Sequence, residues 1–396
     1  MATNIAAKPV AVGIWPKRMI LGEGSMGALS ALLDELGASR ALVLCGKTVA
    51  SGSLLEQTRA ALGEHYCGVF DGVSAHTPST MLADALAMVR ATKADAVVTV
   101  GGGSAIDSGK GLKLASMGTG ALDPYFVRHG PDGAMLQQRL PKPSIVHVAV
   151  PTTSGSASEV LPTAGIRDVA SRKKMLFWDD TLIPEGVILD PAMTVQTGAF
   201  LSAASGMTAV ARCIECLFSV NRNPLSDGLA LHALRLLHRN LPIVVNEPEN
   251  LVARYECQVA CSMSGVACIN AMVSLVHALG HIVGGKFALQ HGVSHAILLA
   301  PAMRRMLSVI GERQTLVLQA LDGGTALDAD AAGAKAADLI DELVCALPLQ
   351  RRLRDLGLTE PELRDVAEQA SHDYMMVNLP RPIDVPEIEA LLRAAW

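Results

Sequence analysis

Aromatic residues are scarce in this sequence, because Phe, Tyr and Trp together make up only 3% of its 396 residues. Half of the chain is nevertheless hydrophobic and 18% is charged, so its apolar content is mostly Ala, Leu, Val, Ile and Met. This composition argues against intrinsic disorder and supplies large buried cores. Small aliphatic side chains suit packed helices and parallel strands, and the length leaves room for two domains.

A large net charge, long apolar runs and a secretion signal are also lacking. The net charge is −5 and the pI is near 6.1, which gives no electrostatic case for binding nucleic acid or an anionic membrane. No uninterrupted apolar run approaches the roughly 18 residues of a transmembrane helix. The first residues lack the features of a signal peptide, and eight Cys in a well-cored chain need no disulfide framework. We therefore expect reduced cysteines and a cytoplasmic location.

The two halves of the sequence differ in periodicity. Up to about residue 190, aliphatic runs of strand length alternate with helical patterns, which predicts a mostly parallel sheet covered by helices. The runs are ALVLC (41–45), AVVTV (96–100), SIVHVAV (144–150) and GVILD (186–190). The later segments have helical length and little strand signal, notably those at 199–219, 225–241, 253–285 and 331–347. We predict an α/β domain over residues 1–190 and an all-α domain over 191–396, with a site in the cleft between them.

Two loops of the first half carry features of ligand binding. In VVTVGGGSAIDSGKGLKLA (97–115), a strand leads into three glycines and a helix, an order that lets a backbone approach a pyrophosphate at a helix N-terminus. In AVPTTSGSASEV (149–160), a second strand ends in a hydroxyl-rich loop. The alternatives are a tight turn without a ligand in the first case and an ordinary helix-capping turn in the second.

Histidines cluster in HALGHIVGGKFALQHGVSHAILLAP (277–301). His277 and His281 are four residues apart on a predicted helix and so share a face. His291 follows after a glycine-containing turn, and then His295. The alternative to a functional cluster is a set of satisfied core histidines.

Taken together, GGGSAIDSGK, PTTSGSASEV and the histidine segment resemble the iron-containing (group III) alcohol dehydrogenase family. The resemblance covers essentially the whole chain. It implies an N-terminal dinucleotide-binding domain and a helical C-terminal domain, the architecture shared with dehydroquinate synthase. It also implies a homodimer and hydride transfer between NAD(P)H and a carbonyl or alcohol.

The resemblance assigns the cofactor site residue by residue. Glycines and a serine of the first loop would hold the pyrophosphate with Asp107 beside it, hydroxyl residues of the second loop would line the adenine and nicotinamide region, and Lys174 would lie near the ribose. Many relatives have Asn where Thr163 stands. The residues of the first loop are Gly101, Gly102, Gly103 and Ser104. Those of the second loop are Thr152, Thr153 and Ser156.

The resembled family holds a divalent metal with one Asp and three His. Two of the histidines match His277 and His291, but the Asp and His of the Gly-Met-Asp-x-x-x-His pattern are replaced by Thr208 and Arg212. Fe²⁺ and Zn²⁺ bind imidazole and anionic ligands, whereas a guanidinium is a fixed cation without a lone pair. Its repulsion of a divalent ion amounts to several kcal/mol even at an effective dielectric of about 20. We therefore expect no metal, or a doubtful one.

Arg212 has two interpretations. Its guanidinium can take the metal's place, binding a carboxylate or polarising a carbonyl oxygen; alternatively, it pairs with Glu215 as a structural ion pair. A substitute site at Cys213 and Cys216 is not expected, because cysteines within helices usually pack as weak hydrophobes.

One branch of the resembled family, the maleylacetate reductases, works without metal on an unsaturated oxo diacid. GVSAHTP (72–78) and HGVSHAILL (291–299) resemble that branch, while GGGSAID is closer to the alcohol dehydrogenases. Relatives in that branch usually keep a histidine where Arg212 stands, so the branch stays open.

The expected function is an NAD(P)-dependent oxidoreductase for a small alcohol/carbonyl pair. We assign His281 to proton relay and His277, His291 and Arg212 to orienting the substrate oxygen. The alternatives are a maleylacetate reductase-like reduction of an oxo acid, a non-catalytic nucleotide-binding relic and a lyase of the dehydroquinate synthase type. Retention of the phosphate loop and the histidines argues against a relic.

The residues after ALVLC predict weak discrimination against NADPH. Relatives that prefer NAD carry an Asp after this strand, where a carboxylate binds the ribose hydroxyls and repels a 2′-phosphate. Gly46 removes that repulsion, and Lys47 is a cation nearby.

Overall fold

A computed structural model of the protein describes residues 16–74, 77–117, 125–129, 135–136, 140–141, 144–169, 174–287, 289–322, 324 and 328–396. The chain separates into two compact units, with the division between Gln196 and Thr197. The change of periodicity near residue 190 lies close to this division.

The first unit is a parallel sheet covered by helices, as the periodicity predicts. Its strands are β1 (Arg18–Leu21), β2 (Ala41–Cys45), β3 (Tyr66–Phe70), β4 (Ala96–Gly101), β5 (Arg128–His129), β6 (Met135–Leu136), β7 (Val146–Pro151), β8 (Thr163–Arg167), β9 (Lys174–Trp178) and β10 (Gly186–Leu189). Its helices are α1 (Leu29–Leu36), α2 (Lys47–Ala50), α3 (Ser53–Leu62), α4 (Ser79–Thr92) and α5 (Gly103–Ser116).

Six of these strands form one sheet in the order β1–β10–β7–β4–β2–β3, with every pair parallel. From β2 the chain passes to β3 on one side and then to β4 on the other. In open parallel sheets, ligands bind outside the carboxyl ends of the strands at such a reversal. Here β2 and β4 end at Cys45 and Gly101. Two antiparallel hairpins, β5–β6 and β8–β9, lie outside the sheet.

The sheet is buried on both faces, which explains the uninterrupted aliphatic runs. On β2, Val43 and Cys45 belong to the same core cluster as Leu33 of α1. The alternate residues Leu42 and Leu44 belong to a second cluster with α4 and α5. Because successive strand side chains point to opposite faces, a strand covered on both sides must be apolar at every position.

The second unit is helical, and its described residues contain no strand. Its helices are α6 (Ala199–Phe218), α7 (Pro224–Asn246), α8 (Leu251–Ala271), α9 (Leu275–Phe287), α10 (His291–Arg305), α11 (Leu307–Asp322), α12 (Ala329–Cys345), α13 (Glu362–Ser371) and α14 (Val385–Ala395). The fold class predicted from the sequence, an α/β domain followed by an all-α domain, is therefore confirmed.

Helix α6 is the central helix of this unit and packs against α7, α8, α9 and α10. It is also long and apolar enough, by length and composition, to cross a membrane, but 78% of that stretch is buried inside the protein. Burial among its neighbours accounts for its apolar composition.

The histidine segment differs from the sequence prediction in two ways. The stretch 253–285 is broken at Met272, whose φ is 66°, and the helices α8 and α9 on either side are bent by 111°. Gly284 and Gly285 belong to α9 rather than to a turn, and His291 is the first residue of α10. Helix propensity alone does not show the break because both sides of it are strongly helical.

Candidate functional site

The predicted phosphate loop lies where the sheet topology favours a ligand. Gly101 ends β4 with φ +155°, and a Cβ at this position would come within 2.7 Å of the Ala105 side chain. Gly102 precedes α5, whose N-terminus has no side-chain cap and no acidic residue in its first turn. An uncapped N-terminus directs backbone N–H groups and the positive end of the helix dipole outward, which suits a phosphate.

The second predicted loop packs directly onto the first. The backbone N–H of Thr152 donates to the Gly101 carbonyl at 3.0 Å. A Cβ on Gly102 would lie 3.1 Å from the Thr153 hydroxyl, and one on Gly103 would lie 2.8 Å from Ser156. The structure thus brings the predicted glycines and hydroxyls together, and a side chain at Gly103 would require Ser156 to move.

Asp107 holds the two loops in place. Its carboxylate accepts hydrogen bonds from the Ser158 hydroxyl at 2.5 Å and from the Gly165 N–H at 3.1 Å. These bonds tie the second turn of α5 to the hydroxyl-rich loop and to β8, which follows it. Lys174 begins β9 opposite Arg167, but its side chain lies outside the described residues.

Two buried lysines of α5 were not predicted from the sequence. Lys110 donates to the carbonyls of Leu161 at 2.8 Å and Thr163 at 2.7 Å, and burial lowers its pKa to about 8. Lys113 pairs with Glu185 at 2.9 Å. Lysines spaced three apart on a helix indicate an exposed face in most sequences, so no local signal identifies this pair as buried.

The end of β2 contains a second feature that the sequence did not reveal. Gly46 precedes α2, and Lys47 forms an ion pair with Asp71, Nζ to Oδ2, at 2.5 Å. Asp71 immediately follows β3, the neighbouring strand. Neighbouring parallel strands end on the same side of the sheet, so Asp71 lies beside the end of β2 although it is distant in sequence.

In the second unit, the four histidines form one cluster. The ring centroids of His277 and His295 are 4.3 Å apart, those of His281 and His291 are 5.6 Å apart, and those of His291 and His295 are 6.4 Å apart. His277 and His295 are buried, whereas His281 is exposed. The cluster predicted from sequence spacing is therefore present, and it spans interior and surface.

Glu215 fixes the orientation of His277. One carboxylate oxygen accepts from the Ser274 N–H at 3.2 Å and the Val276 N–H at 2.7 Å, at the start of α9. The other oxygen is bonded to Nδ1 of His277. A carboxylate partner makes Nδ1 the donor, and Nε2 of His277 then has no hydrogen-bond partner within the described residues. The sequence interpretation that pairs Glu215 with Arg212 is wrong, because Glu215 instead caps the helix that carries the histidine.

Arg212 lies in the interior beside this cluster. Arg212 is only 5% exposed, and its Nη1 donates to the Ser264 hydroxyl at 2.9 Å. Burial lowers the pKa of His295 well below its usual value, and the charges of its three neighbouring histidines and of Arg212 lower it further. His295 is therefore neutral, and Arg212 provides a permanent positive charge close to the imidazoles.

The residues at the family's metal position do not fit a divalent ion. The Thr208 hydroxyl donates to the Ala204 carbonyl of its own helix at 3.3 Å, and Arg212 offers no lone pair. Among the described residues, no group of three or more His, Cys, Asp and Glu is arranged to hold a metal. His277 and His291 are the remaining donors of the family pattern.

Four of the five cysteines on α6 and α8 are buried, namely Cys213, Cys216, Cys257 and Cys261. Burial raises the pKa of Cys213 and of Cys257 to about 12, so both are thiols at neutral pH. Metal ligation requires thiolates. All eight cysteines are free of disulfides.

The first unit is a parallel sheet covered on both faces, with a glycine-rich loop at its reversal point, and the second unit carries clustered histidines. This combination is typical of dinucleotide-dependent oxidoreductases. The chain belongs to the iron-containing alcohol dehydrogenase family. Residues 16–191 match the family model described as iron-containing alcohol dehydrogenase. Residues 202–396 match that of the C-terminal domain of Fe-containing alcohol dehydrogenases.

Relatives with different activities resemble the chain over nearly its whole length. It is 31% identical to 1,3-propanediol dehydrogenase of Klebsiella pneumoniae over 386 residues, which is 96% of this chain and 97% of that protein. It is 30% identical to maleylacetate reductase of Sphingobium indicum over 381 residues, 96% of this chain and 95% of that one. A solved 1,3-propanediol oxidoreductase matches with a TM-score of 0.91 and 31% identity, covering 98% of this chain and 100% of the other.

These comparisons define the general activity. The protein is an oxidoreductase of the alcohol dehydrogenase type, and the NAD-dependent enzymes among its relatives support a nicotinamide cofactor.

Proposed function

We propose that the protein transfers hydride between NAD(P)H and the carbonyl carbon of a small aldehyde, ketone or oxo acid without a tightly bound divalent metal. The observation that carries this proposal is Arg212, a buried guanidinium beside the histidine cluster at a position where the family pattern has a metal ligand. A buried positive charge can stabilise the oxygen that becomes negative when hydride adds to a carbonyl.

The other residues of the cluster have distinct proposed roles. His277 and His291 orient the substrate oxygen, with the ring of His277 held by Glu215. His281 relays the proton, which its solvent exposure and the 5.6 Å separation from the His291 ring both favour. In the first unit, Gly101–Ser104 bind the pyrophosphate, while Thr152, Thr153 and Ser156 support the rest of the cofactor.

A reductase of an oxo acid, like the maleylacetate reductases, is a second candidate. The fixed fork of Arg212 favours it, because a guanidinium binds a carboxylate through two parallel hydrogen bonds. The relative from Sphingobium indicum is a maleylacetate reductase. We also propose a cytoplasmic location, supported by the eight free thiols, and a homodimer, which rests on family membership alone.

The test is oxidation of NADH and NADPH with pairs of carbonyl compounds that differ only by a terminal carboxylate, such as butanal and succinic semialdehyde. We expect turnover with members of the panel. Binding of nucleotide without any turnover would instead indicate a relic.

Arg212 variants separate the two candidates. Arg212→Met should lower kcat/KM for every substrate if the guanidinium acts on the carbonyl. It should lower kcat/KM selectively for the carboxylate-bearing partner if the guanidinium holds the carboxylate. Arg212→Lys is the matched control, since it keeps the charge and loses the fork.

A further inference from the structure

The exposed ion pair between Lys47 and Asp71 lies outside the residues to which the proposed function assigns a role. The two side chains are 79% and 44% exposed, so the pair contributes little to stability. It lies at the carboxyl ends of β2 and β3, beside the reversal point at which the phosphate loop follows β4. Its place in the fold therefore suggests a role in binding rather than in folding.

The chain after β3 is held directly against the end of β2. The Val73 N–H donates to the Cys45 carbonyl at 3.2 Å, and a Cβ on Gly46 would lie 3.2 Å from the Val73 carbonyl oxygen. Burial, followed by the charge of Asp71, raises the pKa of the Cys45 thiol to about 11. These contacts place the Asp71 carboxylate next to the position at which relatives that prefer NAD carry their acidic residue.

We infer that Asp71 supplies, from the neighbouring strand, the carboxylate that is missing at Gly46, and that it sets the preference for NADH over NADPH. This inference rests on the proposed function, because it concerns the same cofactor. Asp71 acts in two ways: its own charge repels a 2′-phosphate, and it neutralises Lys47, the cation that would otherwise attract that phosphate. Gly46 and Lys47 alone predict weak discrimination between NADH and NADPH. The Asp71 carboxylate, at the end of the neighbouring strand, predicts that NADPH binds less tightly than NADH.

The experiment measures the dissociation constants of NADH and NADPH by fluorescence titration of the protein without substrate, so that the readout does not depend on turnover. Asp71→Asn should strengthen NADPH binding relative to NADH by about tenfold or more. Lys47→Met in the Asp71→Asn background should remove part of that gain. Glu64→Gln is the matched control, because Glu64 is an exposed carboxylate that precedes the amino end of β3, at the opposite edge of the sheet.

The outcomes separate the two proposals. A ratio of NADPH to NADH affinity that changes by less than about threefold in Asp71→Asn, with NADH binding retained, would overturn the role of Asp71 and leave the oxidoreductase intact. If the unaltered protein binds neither nucleotide, both proposals are wrong. An equal shift in Glu64→Gln would show a general effect of net charge and would also overturn the inference.

Discussion

At the scale of single residues, we propose an exchange of two metal-binding residues of the family pattern for Thr208 and Arg212. Arg212 is a buried cation, and burial together with the charges of the neighbouring histidines and of Arg212 lowers the pKa of His295. The sequence alone shows the exchange. It does not show that Glu215 turns away from Arg212 towards His277, because the partner of a carboxylate depends on how helices meet in space.

Restoring the family residues tests the role of this pair. Thr208→Asp combined with Arg212→His should raise the metal content of the purified protein, because it recreates four donors and removes the repulsion. It should also weaken activity on carboxylate-bearing substrates, since the guanidinium is gone. Elemental analysis and kcat/KM give the two readouts. Thr208→Asp alone is the control and should bind metal poorly while Arg212 remains.

At the scale of elements, a substitution in the phosphate loop should abolish cofactor binding without unfolding the protein. Gly102→Val should abolish cofactor binding, because the added side chain enters the space beside Thr153 and blocks the approach of a pyrophosphate. The fold should persist, since the residue precedes α5 and is not in the core. Nucleotide titration and thermal unfolding check both parts. Unchanged affinity in this variant would refute the assignment of the loop.

The elements that the sequence predicted best are the uninterrupted aliphatic runs of strand length. The run ALVLC is β2 without any shift, and AVVTV is β4 extended by one glycine. The antiparallel hairpin β8–β9 was not predicted, and neither was β3, whose residues are all partly buried. Such edge elements carry weak periodicity because their environment comes from distant parts of the chain.

The buried lysine of α5 gives a pH dependence of known sign. Its folded pKa of about 8 lies below the unfolded value of 10.5, so the unfolded state binds more protons between these values. The stability contributed by Lys110 therefore rises as the pH increases from about 8 to 10.5. We compare the free energies of unfolding of the unaltered protein and of Lys110→Met, both measured with urea. The unaltered protein should gain about 2 kcal/mol relative to the variant from roughly pH 7 to pH 10. A constant difference would show that folding does not lower the pKa of Lys110.

At the scale of the whole molecule, the predicted fold class and family are confirmed because they rest on features spread along the entire chain. Alternation of strands and helices in one half and helical length in the other determine the architecture. The residue-level chemistry is less predictable. Asp71 and Glu215 both make contacts across elements, with Lys47 of α2 and with the start of α9 respectively, and neither contact follows from sequence spacing.

We propose that this member of the iron-containing alcohol dehydrogenase family works without a tightly bound metal. The most direct measurement is elemental analysis of the protein as purified, with turnover assayed before and after exhaustive chelation. We expect well under one Fe or Zn per chain and activity that survives chelation. A stoichiometric metal bound through His277 and His291, with activity lost on chelation and restored by adding Fe²⁺ or Zn²⁺, would contradict it.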